Sequence, residues 1–157
     1  MSTVRFVFPK VRLTEILKTP GGLTVAEALE RAQTNLEEIR PTCIADLTAL
    51  LEYAEAGLEQ LPEPADDAGL ADLYAIAVRG IGAGAVCGVP AVDEALTSLC
   101  DLIDHLRTRG RFDREAVAVH VRAWRLLMNP DLPDGGAEPV LDGLRKVTSR
   151  YAGPEPA

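Results

Sequence analysis

Two histidines, three cysteines and one glycine-rich run are the parts of this chain whose residue types could do chemistry. His105 sits beside Asp101, Asp104 and Arg107, and His120 lies three residues from Val117 and four from Trp124. An imidazole at either place could in principle accept a phosphoryl group or bind a metal. Neither has a second His, Cys or Asp at ligand spacing beyond the ordinary acidic surface, so capping or half-buried structural roles are expected of both. Cys43, Cys87 and Cys100 form no CxxC pair and fall in apolar helical stretches. There a thiol behaves as a small hydrophobe, and reduced, structural cysteines are expected. The run "GIGAG" (Gly80 to Gly84) follows no strand and precedes no GK[ST], so it is not a phosphate-binding loop. Glu37 and Glu38, like Asp66 and Asp67, are neighbours in sequence, which makes them diverge on a helix or sit in a loop. They do not make an acid–base pair. No catalytic residue, metal site or cofactor is expected.

Composition narrows the class. The 157 residues suit one domain large enough to bury a core without disulfides or metals. Hydrophobic residues are 47% and charged residues 25%, while aromatics are only 4%; Ala and Leu dominate, which favours packed helices over a β-sandwich. A net charge of −8 argues against nucleic-acid binding, which needs a basic patch. No apolar run approaches the roughly 18–20 residues of a membrane span. The opening "MSTVRFVFPK" has too short an apolar patch for a signal-peptide core. A cytoplasmic protein is expected.

The elements can then be placed. "LTEILK" (Leu13–Lys18) predicts one short helix inside an N-terminal arm over 1–22. Thr24 with Glu27 three residues on is a capping box, and Leu29, Ala32, Leu36 and Ile39 follow at helical spacing. The stripe resumes beyond Pro41 through Ile44, Leu47, Leu51, Ala54 and Leu58, so a kink or a tight junction is expected at Pro41. Pro62–Gly69 reads as a loop. A glycine-rich helix follows over Leu70–Cys87, ended by Gly88, and Pro90 opens the next, which runs to Gly110. Asp113 caps another helix that stops near Pro130, and "EPVLDGLRKVTSRY" forms the last, before a tail over 153–157 that should fray. The sum is an all-α antiparallel bundle over 23–152.

Within that bundle, "LYAIAVRGIGAGAVCGVP" (Leu73 to Pro90) resembles the central segment of histidine phosphotransfer (Hpt) domains. Leu73, Ile76 and Ala77 match the apolar approach to the phosphoacceptor, Gly82, Gly84 and Gly88 the small positions, and "PAVDEALTSLCDLIDHL" the following helix. The resemblance covers about Asp72 to Leu106 and implies an Hpt-like four-helix core with extra terminal helices. Where the family carries its phosphoacceptor histidine this chain has Val78, and where it carries the assisting lysine it has Ile81. A valine has no lone pair to attack phosphorus, so phosphotransfer at this position is excluded.

Periodicity adds a second argument. Leu73, Ile76, Ala77, Gly80, Gly84 and Cys87 share one helical face, expected to be core. Tyr74, Ala75, Val78, Arg79, Ile81, Gly82 and Ala85 lie on the other side, with Arg79 the one charge among them. A helix apolar all round is buried on both sides or offers its outer face to a partner, and small residues allow close approach. In Hpt domains that face docks signalling proteins. The resemblance therefore implies a non-catalytic protein binding a response-regulator receiver domain or a histidine kinase without carrying phosphate. A homodimer using the same face is the alternative, and phosphotransfer through His105 or His120 a third reading.

Overall fold

Asp66, Asp113 and the Thr24–Glu27 pair set where helices begin in the structure, a computed structural model that describes residues 21–133 and 135–153. The predicted helix over 13–18, the arm up to residue 20, and 154–157 of the tail lie outside the described residues. Among those described, six helices and no strand are present: α1 (Val25–Gln60), α2 (Asp67–Gly80), α3 (Ala83–Cys87), α4 (Ala91–Arg109), α5 (Arg114–Leu127) and α6 (Ala137–Ala152). The fold is an all-α helical bundle.

The chain divides into two units, with the boundary between Glu37 and Glu38. In the first, the capping box forms as expected. The Glu27 N–H donates to Thr24 Oγ1 at 3.2 Å and the Thr24 N–H to Glu27 Oε2 at 2.8 Å. These bonds satisfy donors that a helix start leaves without partners.

The second unit holds the core. α4 is its centre and packs against α2, α3, α5 and α6. Its Val92, Leu96, Leu102, Ile103 and Leu106 are fully buried, beside Leu70 and Ala77 of α2 and Val117 of α5. Trp124 of α5 and Leu144 of α6 are also buried, and α1 contributes Leu47, Leu51 and Ala54. Such side chains each add about 1.5–3 kcal/mol on full burial, which is the main force holding the helices together.

The backbone stays helical through Pro41, so of the two alternatives expected there the junction is excluded. Two expectations change. The loop after α1 ends earlier than Gly69. Asp66 is the N-cap of α2, its carboxylate accepting the Gly69 N–H at 2.8 Å, so the helix starts at Asp67 rather than Leu70. The glycine-rich stretch is not one helix. It breaks after Gly80, because Ile81 is extended (φ −62°, ψ 129°) and Gly82 is left-handed at φ 93°. That φ is open to glycine and strained for a residue with a Cβ.

Candidate functional site

The break is fastened by a residue eleven positions away. Asp93 in the first turn of α4 accepts the N–H groups of Gly82 and Gly84 on Oδ1 and of Ala85 on Oδ2, each at 2.9 Å. A carboxylate on three backbone N–H groups supplies what a side-chain N-cap would, and its charge suits the positive end of α3. From α1, Arg40 Nε donates to the Val86 carbonyl at 3.2 Å.

This frame keeps the two faces apart in spite of the interruption. Leu73, Ala77, Gly80, Gly84 and Cys87 are buried, and Ile76 is half-buried. Opposite them, Val78 is 45% and Ile81 43% exposed. Ala75, Arg79, Gly82 and Ala85 are exposed as well, and Tyr74 is half-buried. Four of the seven residues stand on α2, Ile81 and Gly82 in the break, and Ala85 on α3.

The glycines themselves have internal reasons. A Cβ at Gly80 would lie 2.8 Å from Leu96 Cδ1 and 3.4 Å from Leu47 Cδ1, so side chains of α1 and α4 fill the space this glycine leaves on α2. Gly84 is pressed by Asp93, and Gly82 is required by its φ. For Gly80 and Gly84 the expectation that small residues admit a partner's backbone is corrected, since both are packed inside the fold. The larger exposed side chains of this face are the apolar pair Val78 and Ile81 and the cation of Arg79.

The histidines are placed differently from one another. His120 is 1% exposed. Its Nδ1 lies 3.0 Å from the Ala116 carbonyl, which can only accept, so Nδ1 carries the proton. Nε2 is left as acceptor, 3.1 Å from Ser98 Oγ and 3.2 Å from Thr148 Oγ1, and the two hydroxyls are 3.0 Å apart. Burial, opposed by the bond to Ala116, holds its pKa below the ordinary histidine value. Both ring nitrogens are engaged, which is the structural role expected of it. His105 is half-buried on α4, the second of the two roles expected of it, and at the helix end the Gly110 N–H meets the Arg107 and Leu106 carbonyls.

Above His120 is an open cleft between α4 and α6 whose lining includes Asp93, Ser98, Asp101, Arg145 and Thr148. Sequence reasoning missed this grouping because its members are brought together only by tertiary packing. Among the described residues, no set of three or more His, Cys, Asp or Glu side chains could hold a metal ion. No described helix is long and apolar enough to cross a membrane.

The cysteines are free thiols, Cys87 and Cys100 buried and Cys43 half-buried. Burial first, then the nearby Asp104 and Asp101, pushes the Cys100 thiol up to about 11. Burial likewise raises Cys87, with Cys43 and Asp93 adding to it. Asp66 and Asp67 have separate tasks, the first as a helix cap and the second in an ion pair with Arg107 at 2.7 Å. No family model, curated protein or solved structure matches the chain.

Proposed function

We propose that the protein is a non-catalytic, Hpt-like signalling protein that binds a response-regulator receiver domain or a histidine kinase through the face around Val78, without carrying phosphate. The supporting observation is the exposure of Val78 and Ile81, at 45% and 43%, where the resemblance would put a phosphoacceptor histidine and its assisting lysine. Two half-exposed aliphatic side chains offer no nucleophile and no metal ligand. They do offer apolar area whose removal from water favours docking. Arg79 beside them supplies one cation for an acidic partner surface. His120, walled in with both nitrogens bonded, gives phosphotransfer no accessible nucleophile there.

The test is a titration of the protein with receiver domains and kinase dimerisation domains, followed by incubation with phosphorylated, radiolabelled receivers. Binding that Val78→Asp removes, with no label on the chain, is the expected result. Label retained on the protein, or binding indifferent to Val78→Asp, overturns the proposal.

A further inference from the structure

The cleft between α4 and α6 sets a hydroxyl group against a base. Ser98 and Thr148 line it, both half-buried, and His120 Nε2 lies 3.1 Å from Ser98 Oγ. Nε2 has a single lone pair to offer, because the ring proton sits on Nδ1, 3.0 Å from the Ala116 carbonyl. One hydroxyl therefore donates to it. Of the two within reach, Ser98 has the less crowded oxygen, since Thr148 carries a methyl beside its own. Once Ser98 donates to Nε2, its oxygen accepts from Thr148 Oγ1 at 3.0 Å and keeps a lone pair for the cleft. These are the parts of an activated nucleophile: a hydroxyl, a base within hydrogen-bond reach and a third group that fixes the base. Burial keeps the imidazole neutral at pH 7, the form that can take a proton. The Nδ1–H bond to Ala116 then stabilises the imidazolium that forms.

Charge selects the acyl donor. Asp93, Glu94 and Asp101 of α4 line the cleft against one cation, Arg145 of α6. Asp93 is committed to three N–H groups of the break and α3, which leaves the exposed Glu94 and Asp101. Acids on the rim repel an anionic donor such as an acyl phosphate. An uncharged ester is the class that fits.

We propose that Ser98 is a covalent modification site, acylated by small uncharged esters with His120 as its base, in a cleft that does not include the Val78 face. Ser98 Oγ forms a bond to the acyl carbon and its proton passes to His120 Nε2. The bond from the acyl carbon to the leaving oxygen breaks, and that oxygen takes the proton from Nε2. One acyl group is transferred per chain, with no change of oxidation state.

The full chain incubated with p-nitrophenyl acetate, followed by intact mass and peptide mapping, tests this. The expected result is one acetyl group on Ser98, absent in Ser98→Ala, and a rate about a hundredfold lower in His120→Gln, the usual worth of a general base. Circular dichroism checks that both variants fold. If His120→Gln does not, the pH profile of the wild type decides. Acetylation of Ser98 should level off above about pH 6.5, where the imidazole is neutral, whereas an unassisted hydroxyl goes on gaining with hydroxide. A wild-type Ser98 that takes no acetyl group overturns the proposal. So do acetylation on Thr148 instead, an equal rate in folded His120→Gln, and a profile that does not level off.

Discussion

Asp93 Oδ1 accepts the Gly84 N–H at 2.9 Å, and the same oxygen stands 2.8 Å from where a Cβ on residue 84 would lie. The carboxylate can therefore reach the backbone of α3 only because residue 84 has no side chain. On its other side, the Val89 carbonyl is also 2.8 Å from that point, so the site is closed from two directions. One acid and one glycine together fix how the short helix departs from α2, and with it where Ile81 is held.

Gly84→Ala should therefore destabilise the protein by about 1–3 kcal/mol, as overpacking against backbone and a fixed carboxylate does. Gly143 provides the contrast. It lies inside α6 with nothing near its missing Cβ, so Gly143→Ala should stabilise by roughly 0.5–1 kcal/mol. Asp93→Ala removes the acceptor of three N–H groups and should cost about 0.5–2 kcal/mol, like other lost caps. Urea unfolding of the three variants checks the order; an unaffected Gly84→Ala would show that Asp93 is not held against α3.

His120 makes stability depend on pH. Its folded pKa lies below the unfolded value of about 6.5, because burial disfavours the imidazolium. Between those two values the unfolded chain binds more protons than the folded one, so stability falls as pH drops. The contribution is complete above about pH 6.5 and fades below it. Unfolding free energies measured between pH 7.5 and about pH 5 should decline in the wild type and be flatter in His120→Gln. Equal slopes in both would remove His120 as the cause.

How much of this was readable in advance depended on how local the interactions were. The Thr24–Glu27 box, the Asp113 cap and the helix ends at Gly88 and Gly110 are legible because their partners lie within a few residues. The inner and outer faces of Leu73–Cys87 were legible from periodicity. The break at Gly82 was not, since a glycine at positive φ reads the same in sequence as a glycine in a helix, and the group that holds it is Asp93. The Asp66 cap was hidden in a run of turn-like residues. Ser98, His120 and Thr148 could not be joined on paper at all, because 22 to 50 positions separate them.

The thiols should differ in reactivity. Thiolate is the attacking species, and a thiol at about 11 is ionised only about one part in a thousand at pH 8. Buried Cys87 and Cys100 should therefore label slowly in the native protein, with half-buried Cys43 reacting first. An Ellman assay should release one equivalent quickly and the other two only on unfolding. Fast labelling of two or more native thiols contradicts this placement.

The Val78 face gives the sharpest contrast between surface and core. A carboxylate at an exposed helix position should change folding stability by only about ±0.5 kcal/mol, so Val78→Asp should melt close to the wild type. In a docked complex the same carboxylate must leave water, at roughly 2 kcal/mol or more if it finds no partner, which weakens binding by well over tenfold. Leu99 lies on α4 and is 1% exposed, so Leu99→Asp buries an unpaired charge and should unfold the domain. Thermal melts paired with the receiver titration separate the cases. If Val78→Asp unfolds as Leu99→Asp does, the face is internal and the docking proposal fails. If it alters neither stability nor binding, Val78 is exposed but takes no part, and the proposal fails for the opposite reason.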